Sequence, residues 1–321
     1  MDLSCSLPPG ADIVEQAKLA ESLGYARLWV SDSPAIYSDP WAALARVADN
    51  TTRIGLGVAV LTPSTRHVMA NAAAIAGIAE QAPGRLSVAV GTGFTARRTF
   101  GKQALSWATT GGYIRNLRAL LRGETVEVDG ALTRMMHPRG ISSPTPVDVP
   151  VVVAANGPKG IEVAQELGDG VMAVTAPVPG FDWSALLQAG TVLQDGETPD
   201  SERVFEAIGP VVASFYHGAY DAMGEGVDGF PNGAAWRAMI EAFPEEERHL
   251  YLHQEHCYSV SEHDRPFIDV AGMAPMTFTG TADELRARAA DLEAAGLTEL
   301  LYLPAGPDVA GELERMAAVF D

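Results

Sequence analysis

The sequence contains only two cysteines, Cys5 and Cys257, among its 321 residues. That excludes a disulfide framework. No uninterrupted apolar run reaches the roughly 18–20 residues that a membrane-spanning helix needs. The start, Met1-Asp2-Leu3-Ser4-Cys5, lacks the basic residues and apolar core of a signal peptide. These absences lead to the expectation of a soluble, cytoplasmic protein. Positive charge is scarce: 22 Lys and Arg stand against 41 Asp and Glu, for a net charge of −19. Such a surface repels nucleic acid and anionic lipid, so neither is expected as a partner.

Several motifs are also missing. Gly91-Thr92-Gly93 runs on into Phe94-Thr95-Ala96, so the glycine fingerprint of a dinucleotide-binding fold is absent. There is no Gly-x-Ser-x-Gly nucleophile elbow and no phosphate-loop Lys-Ser/Thr pattern. His253 and His256 stand three apart on a segment that reads as helical, beside Glu255. No third ligand is evident near them, and no metal is expected.

What is present is a rhythm. The hydrophobic share of 47% is enough for a sizeable core. Apolar runs at 3–7, 27–30, 54–61, 86–90, 151–154, 171–174, 204–212 and 299–303 read as strands. They lack alternation, as expected of strands buried on both faces. Helical phrases separate most of them. Gly24, Gly168 and Gly296 each close such a phrase just before the next strand, where a helix C-cap needs glycine. Eight parallel strands alternating with helices predict a (β/α)₈ TIM barrel over residues 1–321, a single domain with insertions on its loops. An open doubly wound sheet is the competing architecture. Two stretches break the rhythm. One, about 123–150, contains an Asp129-Gly130 hairpin signal; the other, about 215–276, is rich in His, Tyr and Trp.

In a barrel the functional residues follow the strands. The stretches after these strands are Ser31-Asp32-Ser33-Pro34, Thr62 to His67, Gly91-Thr92-Gly93-Phe94 and Asn156-Gly157-Pro158. Asp32 reads either as a turn residue or as a buried carboxylate that holds a ligand's donors. The Gly-Thr-Gly turn would let backbone approach a flat or phosphorylated ligand. Gly55, Gly57 and Ala59 in the third strand leave room for tight packing or for a bulge. The Asn156-Gly157 turn lies at a strand's carboxyl end and a helix's amino end, where free N–H groups and the helix dipole favour an anion such as phosphate.

Taken together, the phrases Leu28-Trp29-Val30-Ser31-Asp32, Leu61 to His67, Gly91-Thr92-Gly93, Ala155-Asn156-Gly157-Pro158 and Phe278-Thr279-Gly280-Thr281 resemble the luciferase-like superfamily of flavin and deazaflavin oxidoreductases. The similarity is greater to its branch of F420-dependent methylenetetrahydromethanopterin reductases, and it is weakest from about 215 to 276. The resemblance implies a TIM barrel, often dimeric, that transfers a hydride between reduced coenzyme F420 and an organic substrate. An FMN-dependent monooxygenase using reduced flavin and oxygen is the alternative. A third reading is a binding protein that keeps the pocket without turnover. By resemblance the cofactor would contact Asp32, Ala59, Val60, Thr92, Gly93, Ala155, Asn156 and Gly157. A non-prolyl cis peptide would join Ala59 to Val60 behind the ring, and Asn156-Gly157 would take the tail phosphate. Ser33, Phe94 and Cys5 stand where relatives often carry a histidine or acids. Any proton donor must therefore come from elsewhere, with His67, His253, His256 and Glu255 as candidates. The substrate would be less polar than a pterin.

Overall fold

Long apolar runs form strands only where both faces find cover, and here a closed barrel supplies it. The computed structural model describes residues 1–138 and 140–320. Its strands are β1 (Asp2–Leu7), β2 (Arg27–Val30), β3 (Gly55–Leu61), β4 (Leu86–Val90), β5 (Val126–Val128), β6 (Ala131–Thr133), β7 (Val151–Ala154), β8 (Gly170–Ala173), β9 (Ser184–Ala189) and β10 (Glu299–Leu303). Eight of them close in the order β1-β10-β9-β8-β7-β4-β3-β2, each pair parallel. The remaining two, β5 and β6, form an antiparallel hairpin whose turn residues Asp129 and Gly130 both have positive φ, 52° and 78°. That is the turn the Asp-Gly pair favours.

One predicted strand is a helix. Residues 204–212 lie inside the helix Glu202–Met223. Ser201 caps it, its hydroxyl accepting the Val204 N–H, and Val204, Ile208 and Val212 repeat every fourth position on the buried face. Their β-branched side chains mimic a strand, but their spacing is helical. The seventh barrel strand is instead β9. Its sequence, Ser-Ala-Leu-Leu-Gln-Ala, is made largely of helix formers. Pairing with β8 and β10 on either side overrides that preference.

Alternation along each barrel strand divides the interior. Leu28, Val30, Leu56, Val58, Leu300 and Tyr302 pack outward against the helices, while Trp29, Ala89, Val152, Met172, Ala185 and Leu301 fill the lumen. The small residues of β3 accommodate large neighbours on β2. A Cβ at Gly57 would lie 2.3 Å from the Trp29 ring, and one at Gly55 would lie 2.5 Å from the Arg27 guanidinium. The third strand also bulges, with a register shift between Val58 and Leu61. Within that bulge the Ala59–Val60 peptide is cis.

A separate apolar cluster joins the helix Glu202–Met223 to the 215–276 stretch through Tyr216, Trp236, Leu252 and Val270. This stretch sits over the carboxyl ends of the strands. The Tyr37 hydroxyl, after β2, donates to the His256 carbonyl at 2.8 Å, and Arg98, after β4, approaches Asp221 at 3.8 Å. Among the described residues, no helix is long and apolar enough to cross a membrane.

Beside the last strand, Arg203 links Glu197 to buried Glu312, which also accepts from Tyr302 and Thr191. The Arg203 hydrogen bonds pull the Glu197 carboxyl from its ordinary 4.5 down to about 2. A folded-state pKa below the unfolded one stabilises above pH 4.5, and that contribution is lost as pH falls from 4.5 toward 2. Calorimetric Tm measured across this window should fall more steeply for the wild type than for Glu197→Gln. Parallel acid limbs would show that Arg203 contributes nothing through this carboxylate.

Candidate functional site

The barrel order places β2, β3, β4 and β7 side by side. The loops after them therefore form one continuous arc of the rim, and every residue singled out for cofactor contact lies at those four strand ends.

Asp32 follows β2 and its side chain is fully buried. Both carboxylate oxygens accept from the Arg66 guanidinium, at 2.7 and 2.6 Å, and Arg66 also reaches Asp39 at 2.8 Å. Burial pushes the Asp32 carboxyl up from its ordinary value, against the downward pull of Arg66. Asp39 itself caps the helix Pro40–Asn50 by accepting from the Trp41 and Ala42 N–H groups. Arg66 thus ties the loop after β3 to the loop after β2. The run Thr62 to His67 contains this arginine, but nothing in the sequence distinguishes it as the partner of Asp32.

The Gly-Thr-Gly turn after β4 is built for close approach. A Cβ on Gly91 would meet Val60 at 2.8 Å and Ala154 at 3.3 Å. Gly93, with φ of 77°, presses on Thr62, where a Cβ would lie 2.2 Å away. The ends of β3, β4 and β7 therefore touch through the hydrogens of two glycines. Thr92 is partly exposed, and its carbonyl accepts from the Leu105 N–H.

After β7, Ala155 is buried while Asn156 and Gly157 are exposed. The Asn156 side chain accepts from the Val174 N–H at 2.8 Å, tying this turn to the loop after β8. Among the described residues, the backbone N–H groups of Asn156 and Gly157 meet no acceptor. Gly157 is the N-cap of the helix Pro158–Leu167, with proline at its first position. The turn thus directs free donors and a helix dipole outward, with Lys159 in the first turn.

The histidine candidates have other duties. His67 is exposed and caps the helix Val68–Gln81, its Nδ1 accepting the Met69 N–H, while Nε2 lies 3.7 Å from Asp129 of the hairpin. His253 and His256 are not helical: the helix Arg248–Leu252 ends before them, and the turn continues through Glu255 and Cys257, both at φ of 58°. The fold brings a third histidine, His217, to this pair. Its place 36 residues before His253, on a stretch that begins like a strand, hides it from a reading of spacing. Burial, with the nearby His253 and His217 rings, pulls His256 from 6.5 down to about 3, so it carries no excess proton at neutral pH. Cys5 also changes place. It packs in the outer core, and the lumen-facing residues of β1 are Ser4 and Ser6, in register with Leu301 and Trp29.

A cleft of about 250 Å³ lies elsewhere, between Arg203, Glu206, Pro307, Asp308 and Arg315. Its arginines are already paired with Glu197, Glu312 and Asp308, so it offers no free cation to an anion.

A parallel eight-stranded barrel whose rim loops carry small residues and free backbone donors defines a class of ligand-binding barrel. The chain belongs to the luciferase-like monooxygenase family, whose sequence profile matches residues 3–299. It is 34% identical over 175 residues to a 5,10-methylenetetrahydromethanopterin reductase of Methanolobus tindarius, covering 51% of this chain and 50% of that protein. It is 30% identical over 219 residues to an F420-dependent glucose-6-phosphate dehydrogenase of Mycobacterium avium, covering 61% of this chain and 63% of that protein. The chain thus spans between half and just under two thirds of these relatives. In three dimensions it is similar to an F420-dependent secondary alcohol dehydrogenase in complex with an F420–acetone adduct, with a TM-score of 0.66 and 18% identity over 99% of this chain and 97% of the other. A monooxygenase from Streptomyces bottropensis gives a TM-score of 0.60 and 19% identity over 99% and 98%.

Proposed function

We propose that this protein is an oxidoreductase that transfers a hydride between coenzyme F420 and a small organic substrate. The observation that carries this reading is the arc of four adjacent strand ends, with two glycines too close to their neighbours for a Cβ and two backbone N–H groups without acceptors. The names of the sequence relatives, an F420-dependent dehydrogenase among them, support the choice of cofactor.

The residues present fit such a group. The Asn156 and Gly157 N–H groups, at the positive end of a helix, would hold its phosphate. The glycines and the bulge of Ala59 and Val60 provide a flat wall for its ring, and Asp32 with Arg66 would meet its polar edge. When bound, the deazaflavin supplies the hydride chemistry itself. The protein's own part is to orient the substrate and exclude water, and the 215–276 stretch is held over the rim for that purpose by Tyr37 and Arg98. Phe94 and Val174, large apolar side chains exposed near the arc, favour a substrate less polar than a pterin. A homodimer goes with this reading, and light scattering on the purified protein tests it.

Titration with F420 and FMN side by side, followed by absorbance, tests the cofactor. The F420 spectrum should shift at lower protein concentration than that of FMN. A preference for FMN, together with oxygen-dependent turnover, would move the assignment to a monooxygenase. Asn156→Pro removes one backbone donor and the side-chain tie to Val174. It should weaken F420 binding about tenfold, the scale of one charge-assisted hydrogen bond. Unchanged affinity would mean that the phosphate lies elsewhere.

A further inference from the structure

Three imidazoles meet within the stretch that covers the rim. His217 comes from the helix Glu202–Met223, and His253 and His256 from the turn after Arg248–Leu252. One ring nitrogen of each lies within 4.8 Å of the other two. His217 and His253 are 2% and 6% exposed. His217 Nε2 lies 3.1 Å from Asp264 Oδ2, while its Nδ1 is buried without a partner. Both ring nitrogens of His253 and the Nδ1 of His256 are also buried without hydrogen bonds. So is Asp221 Oδ2, 3.6 Å from His253 Nε2. Buried polar atoms normally find partners, and a cluster of orphaned imidazole nitrogens calls for one they can share.

We propose that His217, His253 and His256 bind one divalent transition-metal ion of the zinc class. Neutral imidazole is the ligand form such ions take. Zn–N bonds are about 2.0–2.1 Å, so two nitrogens on one tetrahedral ion lie about 3.3 Å apart. From nitrogens within 4.8 Å of one another, the triad contracts by up to about 1.5 Å when loaded. Asp264 accepts from His217 Nε2–H and turns Nδ1 toward the ion, the usual arrangement of a carboxylate behind a metal-bound histidine. Asp221 Oδ2 stands 3.6 Å from His253 Nε2, beyond hydrogen-bond distance, and its other oxygen lies 3.8 Å from Arg98. Three histidines leave a fourth position for water. The competing account is plain aromatic packing. His253 and His256 do stand edge to face, at 5.3 Å and 67°, but packing alone leaves their nitrogens unsatisfied.

The test uses the full chain, stripped with a chelator and titrated with Co²⁺ alone, then with Zn²⁺. The expected result is saturation at about one Co²⁺ per chain with visible ligand-field bands, displacement by Zn²⁺, and an unfolding midpoint raised by Zn²⁺. His217→Ala and His256→Ala should each weaken Co²⁺ binding about 100-fold or more, while His137→Ala leaves it unchanged. X-ray absorption at the zinc edge of the wild type should count three imidazoles, which holds the test open if a variant fails to fold. Uptake that never saturates, or fewer than three imidazoles around bound zinc, overturns the site. None of these readouts involves F420, so the metal proposal and the cofactor assignment can fail separately.

Discussion

Glu299→Ala is expected to lower the unfolding free energy by about 4 kcal/mol, from two orphaned donors at about 1–3 kcal/mol each and the void left behind. Glu299 opens β10 and is only 3% exposed. Its two oxygens accept from the indoles of Trp29, at 2.9 Å, and Trp183, at 2.6 Å. Arg27 lies over both rings, 5.6 and 4.6 Å from their centroids, and supplies a countercharge to this end of the lumen. Glu299→Gln keeps one acceptor but turns an N–H₂ toward the second indole, so about half the loss should remain. Urea unfolding followed by tryptophan fluorescence measures both variants. A loss below about 1 kcal/mol for the alanine variant would mean that the indoles find water instead.

Arg66→Ala should cost about 3 kcal/mol, at the lower end of the range for breaking a buried pair because Arg66 retains 18% exposure. The loss comes from Asp32, left fully buried with no countercharge. Its carboxyl is already pushed up by burial, and without Arg66 it would rise further. A carboxyl whose folded-state pKa lies above its unfolded value loses stability as pH rises through that interval. The deficit of Arg66→Ala should therefore be larger at pH 8 than at pH 5. Asp32→Asn in the same chain should recover most of it, and a double-mutant cycle gives the coupling. Additive single losses would show that the two side chains act independently.

Strand positions were legible wherever an apolar run followed a glycine, as at Gly24 before β2 and Gly168 before β8. Gly24 has the positive φ expected of a cap, 82°, whereas Gly168 is extended, at φ of −95°, and is needed because a Cβ there would lie 2.8 Å from the Gly170 carbonyl oxygen. β9 was not, because Ala, Leu and Gln carry no strand preference and only its neighbours make it a strand. The Asn156-Gly157 turn was readable since it depends on local order alone: strand, turn, helix. The Asp32–Arg66 pair and the His217 triad were not, because each is created by contacts between segments 34 or more residues apart. Cys5 shows a finer limit. Which way a residue on a doubly buried strand points cannot be read where both faces are apolar, and only its register with Leu28 and Tyr302 assigns it to the outer core.

The cluster around Tyr216 and Trp236 shares no buried residue with the cores around the barrel wall or within its lumen. Changes far apart and without common partners tend to add in free energy. The cover over the rim can therefore accumulate substitutions without repacking the cradle beneath it. Such a division would let the cover change what the barrel accepts while leaving the proposed cofactor cradle as it is. Exchanging the 215–276 segment for that of a relative is the engineering use of it.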